Sequence, residues 1–593
     1  MWARQSWCLA LRAFPNMKSI EYIYLADKIP CRKIIMTTLV SSIAPSEYVQ
    51  NPSVVAVKLN NEIFGFNDSV PCTDSDISNR FTQVLVNTPE GIRIYKRSIC
   101  FLLGVAIYQC SKTCVTIMES IGNSFNISIE DENDNDVKTL LNRDLIQTTM
   151  IDLITDKKQI TKEYLSIDTA LNYFRSIKAY ATVEYLEQYS KPFVPCYLCQ
   201  GFYSIAFNII IDNFSRINVN DFIIEILKGE SFNNNNYRLY HTSLDNNNNL
   251  VLHKNIEPCL SDAYVKRKLW GKQLNFNTVS KLNYNVSRSN VKSIIQLSEA
   301  LHDYQIVNIS MKITTDNPKL VLIAGPSSSG KTTFAKRLSV SLETLGKKVL
   351  VISVDSYYKA WHEINSNGMK YVDWESLDSL NLDLLNDHLF QLLSGNAVDI
   401  PEYDMTTSTP MSKEHWIKTK LPEDGLIIIE GIHGLNPLLT SKIDKSDKFH
   451  IMISPLSYIA IDNFNIVSSS QVRMLRRMVR DYLFRGRSAV STLSQWPAVA
   501  KGERINIYPN QNNADVVMNS GLLYETSVLK YYAEPLLRTI LPHQPEYAEA
   551  KRLLNMLDTL VSIPSELVPP QSLLREFIGG SWFYEYGGLY KSA

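Results

Sequence analysis

Gly325-Pro-Ser-Ser-Ser-Gly330-Lys331-Thr332 sets two glycines, a lysine and a hydroxyl at the spacing G-x-x-x-x-G-K-T. Glycines let a backbone turn bring its N–H groups around an anion, and a helix opening directly after the turn adds the positive end of its dipole. In that pattern Gly325, Pro326, Ser327, Ser328, Ser329, Gly330, Lys331, Thr332 and Thr333 would cradle the phosphates of ATP. Lys331 would reach the β- and γ-phosphates, and the Thr332 hydroxyl would hold Mg²⁺. Such a loop needs an acid for the metal and another for a nucleophile. Glu430 follows the apolar run Leu426–Ile429, and Asp355 follows the apolar run Val349–Val354. Both would stand at the carboxyl ends of strands, where open α/β sheets bind ligands. A basic segment completes the set: Arg473, Arg476, Arg477 and Arg480, then Arg485-Gly486-Arg487. Spacings of three and four put Arg473, Arg477 and Arg480 on one helical face, as a mobile lid closing over a transferring phosphoryl group would require.

These groups have to be held by a sheet. Lys319–Ala324 is an apolar run ending in glycine, and Phe334, Leu338, Leu342 and Leu345 then repeat at helical spacing up to Gly346. With Val349–Val354, Leu426–Ile429 and His450–Ile453, four strands alternate with helices, which predicts a doubly wound parallel α/β sheet. Upstream, two alternating runs flank Asn60-Asn61 in residues 54–66, a hairpin signal near the start of a small β-rich module. Arg97–Tyr108 reads as a buried helix and residues 291–313 as a helical connector into the next domain. Asn-rich, acidic stretches at 130–137, 233–236 and 245–249 read as surface loops.

The region 319–540 resembles the phosphoribulokinase/uridine kinase family of P-loop kinases. The residues that carry the resemblance are Gly325–Thr333, Asp355-Ser-Tyr-Tyr358, Pro401-Glu-Tyr-Asp404, Glu430-Gly-Ile-His-Gly434, the arginine series, and Asn513-Ala-Asp-Val516. The resemblance implies that Asp355 is the general base for a nucleoside 5′-hydroxyl, and that Tyr358, Asp373, Tyr403, Arg477 and Gln495 contact the nucleoside. It places Arg480, Arg485 and Arg487 on the ATP phosphates, and Thr332 and Glu430 at Mg²⁺. Two positions depart from the family pattern: Ser408 stands where a base-contacting histidine is usual, and Gln471-Val472 precede the first arginine in place of Asp-Thr. A kinase of another small hydroxyl compound, and an ATP-binding regulatory or RNA-associated protein, are the alternative readings. Ser298-Glu-Ala-Leu-His302 and Arg575–Ser581 resemble a subgroup whose N-terminal half is similar to threonyl-tRNA synthetase. That implies an extension over 1–50, a TGS-like β-grasp module over 51–97, a synthetase-like α+β domain over 98–290, a connector over 291–313, the kinase domain over 314–545 and a helical tail over 546–593. The synthetase's metal and editing histidines are not recognisable; Glu119 stands near one of those positions, and the domain reads as a structural or regulatory remnant.

The 593-residue chain is 45% apolar and 20% charged, ample for more than one core. Sixty basic and sixty acidic residues leave no net charge. That excludes a global basic field and speaks against nucleic acid or an anionic membrane as the main partner. No apolar run reaches the roughly 20 residues of a membrane span. The expected partner is a small hydroxyl substrate, a nucleoside in the first place, and relatives of this kind imply a homo-oligomer. Nine cysteines at irregular spacing, the last at Cys259, indicate a reducing compartment, with cytosol the expected location. Cys196-x-x-Cys199, with Cys110 and Cys114, admits a zinc site in principle but reads as buried free thiols. The first twenty residues carry Arg4, Arg12 and Lys18 and no acid, compatible with an organelle transit peptide or a plain extension.

Overall fold

The computed structural model describes residues 37–71, 80–129, 142–227, 236–254, 263, 270–271, 274, 276–364, 374–404, 407, 409–457 and 459–584. The N-terminal transit reading, Asp373, Ser408 and the loop at 130–137 lie outside these residues. Asn60 and Asn61 both take left-handed backbone, with φ of 50° and 57°. They close Val54–Leu59 (β1) and Glu62–Phe64 (β2) into the expected antiparallel hairpin, and Thr82–Leu85 (β3) pairs with the other edge of β1. Helix α1 spans Pro89–Ser111. Its start is set by the Thr88 hydroxyl, which accepts from the Gly91 amide at 3.1 Å, with proline in the first turn where no N–H is needed. A boundary drawn at Arg97 therefore falls inside one continuous helix.

Beyond α1 come Val115–Ile121 (β4), Ser124–Ile129 (β5), Thr161–Ser166 (β6), Phe193–Cys199 (β7), Phe202–Ile205 (β8), Phe222–Ile226 (β9) and Asn236–His241 (β10). They form a four-stranded sheet in the order β9-β10-β5-β4 and a three-stranded sheet in the order β8-β7-β6, with antiparallel pairing throughout. Ile99, Leu102, Val105 and Ala106 of α1 are buried in the core they share. Cys196 and Cys199 sit on β7 inside that core, and burial pushes their thiols up to about 12 and 11. They pack as small hydrophobes.

In the second half, Val291–Asp316 (α2) leads to Leu320–Ala324 (β11), Lys331–Thr344 (α3), Lys348–Ser353 (β12), Leu382–Leu393 (α4), Gly425–Glu430 (β13) and Lys448–Ser454 (β14). Ser469–Arg485 (α5), Ala489–Asn506 (α6), Val516–Asn519 (β15), Glu525–Arg538 (α7), Tyr547–Leu557 (α8) and Arg575–Ile578 (α9) follow. The five strands form one all-parallel sheet in the order β12-β13-β11-β14-β15. Four of them stand where the apolar runs predicted; β15, three apolar residues between Asp515 and Asn519, was not expected. Strand periodicity divides the sheet between two cores: Val321 and Ile323 join Phe334, Leu338 and Leu342 of α3 on one face. Leu320 and Leu322 join Leu385, Leu389 and Leu392 of α4 on the other. Each such side chain contributes roughly 1.5–3 kcal/mol by leaving water.

Two segments expected to stand apart belong to this unit. Helix α2 is more than a connector: Ile294, Ile306, Ile309 and Ile313 enter the α3-side core, and Arg337 of α3 donates to Asp303 at 2.7 Å. At the other end, Leu573, Leu574 and Phe577 are buried in the same core. One of the contacts that join the two halves runs through residues 461–467, the loop leading into α5; ion pairs such as Arg93 with Glu549 add others. Asn463 accepts from the Thr182 amide and hydroxyl at 2.9 Å each and donates to the Thr116 hydroxyl at 2.6 Å. Among the described residues no helix is long and apolar enough to cross a membrane.

Candidate active site

The loop after β11 turns where a side chain would not fit. A β-carbon on Gly325 would lie 2.1 Å from the Ile453 carbonyl oxygen, and Gly330 has φ of 92° with Leu573 closing over it. The turn delivers Lys331 to the start of α3, where its ammonium folds back to donate to the carbonyls of Gly325 at 3.1 Å and Pro326 at 3.4 Å. Thr332 donates to Glu430 at 3.1 Å, and Ser353 at the end of β12 donates to the same carboxylate oxygen at 2.9 Å. Glu430 and Asp355 thus meet beside the loop from neighbouring strands β13 and β12.

Crowding of acids in a buried site changes their basicity. Burial, then the charge of Asp355, lifts Glu430 to about 7 against the pull of Lys331. Asp355 is also raised by burial, while Lys331, Arg485 and Arg480 draw it back down. A hydroxyl and a buried carboxylate already in contact are oxygen donors of the kind a magnesium ion takes. Thr332 and Glu430 therefore fit the metal the sequence assigned to them, with the phosphates of the nucleotide completing such a site.

The arginine helix differs from the expected lid. Along α5, Arg473, Arg476 and Arg477 are at most 9% exposed, so most of the face is packed into the protein. Arg473 makes a double ion pair with Glu503 of α6 and donates to the Ser327 carbonyl at 3.2 Å, while Glu503 accepts from the Ser327 amide at 3.1 Å. Arg476 pairs with Glu525 of α7 at 2.6 Å and donates to the carbonyls of Ser328, Ser329 and Ser520. These two arginines grip the loop backbone from behind. Arg477 and Arg480 reach its open side, donating to the hydroxyls of Ser327 at 3.0 Å and Ser328 at 3.2 Å. Only the end of the series is free enough to act as a lid: Arg485 pairs with the buried Asp481 at 3.1 Å, and Arg487 donates to Gln495 at 3.4 Å.

All of this opens into one cavity of about 700 Å³. Besides Lys331, Thr332, Asp355 and Glu430, its wall holds Tyr358, Tyr403, Arg477, Arg480, Arg485, Arg487 and Gln495, residues for which the resemblance implied nucleoside or phosphate contacts. Tyr358 and Tyr403 stand 5.7 Å apart, ring to ring, and Trp374 lies edge-on to Tyr358 at 5.8 Å. The result is a flat-sided aromatic recess next to Asp355. Sequence reasoning missed several acids, among them Glu375 in the cavity wall and Glu525 behind Arg476. Two touch the phosphate loop or the helix it opens. Glu503 is one. The other is Glu576 of the C-terminal helix α9, which accepts from the Thr333 amide at 3.3 Å, the Thr333 hydroxyl at 2.8 Å and Arg480 at 3.4 Å. A carboxylate thus occupies the first turn of α3, where phosphate is expected to bind. Its only sequence signal was the subgroup resemblance of Arg575–Ser581.

Comparison with known proteins agrees with this geometry. Residues 320–527 match the phosphoribulokinase/uridine kinase family. A uridine kinase of Lactobacillus johnsonii is 31% identical over 205 residues, 34% of this chain and 87% of its own length. The chain belongs to the phosphoribulokinase/uridine kinase family. A uridine kinase of Vibrio atlanticus is likewise 31% identical over 35% of this chain and 90% of its own, and one of Deinococcus deserti is 28% identical over 36% and 92%. Among solved structures, a possible uridine kinase from Bacillus stearothermophilus aligns with 34% of this chain and 88% of its own at 19% identity, with a TM-score of 0.23. Membership of that family, with its phosphate-loop sequence, makes this chain an ATP-dependent kinase.

Proposed function

We propose that the enzyme transfers the γ-phosphoryl group of ATP to the 5′-hydroxyl of a pyrimidine nucleoside, uridine or cytidine. The observation that carries this reading is the shared cavity: phosphate loop, Asp355 and the Tyr358–Tyr403–Trp374 recess face one another in it. The uridine kinases it matches support the nucleoside as acceptor. A planar base would lie along the aromatic recess, with its sugar hydroxyl toward Asp355. Asp355 would accept the hydroxyl proton, a task that asks for hydrogen-bond reach more than an extreme pKa. Lys331, Arg480, Arg485 and Arg487 would spread the negative charge gathering on the phosphoryl oxygens. Magnesium bound with ATP at Thr332 and Glu430 would neutralise part of the same charge. The N-terminal half, read as TGS-like and synthetase-like, would frame the loop that starts α5.

The test is ADP release from Mg²⁺-ATP with a panel of uridine, cytidine, other nucleosides and small sugar phosphates. Uridine or cytidine should stimulate release, and Asp355→Asn should lose roughly 100- to 10,000-fold in turnover while ATP binding holds. Stimulation by a sugar phosphate alone would overturn the acceptor, and near-normal turnover in Asp355→Asn would overturn the base.

A further inference from the structure

Away from the catalytic cavity, two adjoining cavities of about 220 and 420 Å³ lie along the seam between the N-terminal half and the kinase half, and share Ser120, Ile466, Ser468 and Ser470 in their walls. Among the described residues, six cations from four helices line them: Arg93, Lys96 and Arg97 of α1, Arg473 of α5, Arg504 of α6 and Arg552 of α8; Arg473 is held by Glu503. One carboxylate, Glu549, stands in the same walls, and it is already engaged by Arg93 at 3.0 Å and by Arg552. Arg97 donates to the neutral Asn465 at 2.9 Å. Lys96 and Arg504 have no hydrogen bond or ion pair to any described residue, and the Arg504 Nε is buried. Burial and the charge of Arg504 bring Lys96 down to about 8. Glu549 and Glu503 answer three of the six cations by ion pairs, and Asp462 and Asp245 act on Arg97 and Arg504 only through space. Cations held together in a recess in excess of the acids paired with them are an arrangement that an anion relieves.

Two further features narrow the class of anion. The floor of the seam is the first turn of α5, Ser468–Gln471, which adds the positive end of a 17-residue helix. The wall of the smaller cavity carries Phe101, Phe125, Tyr197, Phe464 and Trp496, apolar rings beside the cations. We propose that the seam is a binding site for a small organic phosphate, its phosphate held by Lys96 and Arg504 and a planar group set against the aromatic wall. This site is separate from the ATP loop and lies against the helices α5 and α6 that grip that loop. It does not depend on which acceptor the kinase uses.

Isothermal titration of the full chain with inorganic pyrophosphate, and separately with 5′-AMP, tests it. Two sites are expected, one removed by Lys331→Ala and the other weakened at least tenfold by Lys96→Met or Arg504→Met. Because neither Lys96 nor Arg504 has a described partner to lose, both variants should fold, which thermal melting without ligand checks. Tighter binding of 5′-AMP than of pyrophosphate at the Lys331-independent site supports the aromatic wall as part of it. A single site abolished by Lys331→Ala, or affinities unchanged within twofold in folded Lys96→Met and Arg504→Met, would overturn the proposal.

Discussion

Asp355, Glu430 and Glu576 bring three carboxylates to a cavity built to hold phosphates, and each has a different neighbour to answer for it. Under the proposed function Glu576 would compete with substrate, since it holds Arg480 and the Thr333 amide, groups assigned there to the ATP phosphates. Glu576→Gln is therefore expected to tighten ATP binding several-fold, about the worth of one partly exposed ion pair exchanged; a nucleotide titration reads it, and weaker binding would show that Glu576 shapes the loop. Lys96 poses the opposite problem, a cation without a partner. Its folded value of about 8 lies below the ordinary 10.5, so the unfolded chain holds the proton more tightly between those limits. Stability should rise as pH climbs from 8 toward 10.5, and the penalty is fully present below 8. Lys96→Met should thus be more stable than the parent at pH 7, by about 3 kcal/mol, read as a later melt, and the two should converge above pH 10.5.

At the scale of elements, helix α5 explains why so many arginines follow one another. At 3.6 residues per turn all four fall on one face about 100° wide. Arg473 and Arg476 reach the loop carbonyls, and Arg477 and Arg480, one turn further along, reach the hydroxyls of Ser327 and Ser328. The first pair is structural and only works with its acids. Glu503→Gln leaves the buried Arg473 without its counter-ion and the Ser327 amide without its charged acceptor. Removing one partner of a buried pair costs about 3–5 kcal/mol. The variant should therefore unfold at markedly lower denaturant and lose ATP affinity, whereas a purely catalytic role would leave the midpoint unchanged. The same helix begins in the loop that the N-terminal half holds, through Asn463 to Thr182 and Thr116.

Across the whole molecule, that loop is a main contact between the halves, beside ion pairs such as Arg93 with Glu549. Phe464 inserts against Gly104 of α1, where an added β-carbon would lie 2.7 Å from the ring, and packs on Phe202 at 5.7 Å. Gly104→Ala should wedge the seam open at a cost of about 1–3 kcal/mol, seen as a thermal transition that splits into two and as faster proteolysis between the halves. A single unshifted transition would show that Phe464 repacks freely. The sequence by itself determined the phosphate loop, the two acids at strand ends, the hairpin at Asn60-Asn61 and four of the five parallel strands. Those features are local: the loop is eight consecutive residues, and a strand inside a doubly covered sheet is an unbroken apolar run. Only the tertiary structure decided that Arg473 and Arg476 are clamps completed by Glu503 and Glu525, that Glu576 meets Arg480, and that α2 and α9 belong to the kinase core. The reason is physical: an arginine looks the same in sequence whether it meets water, phosphate or a carboxylate from a distant helix, and burial with that partner is what assigns its role.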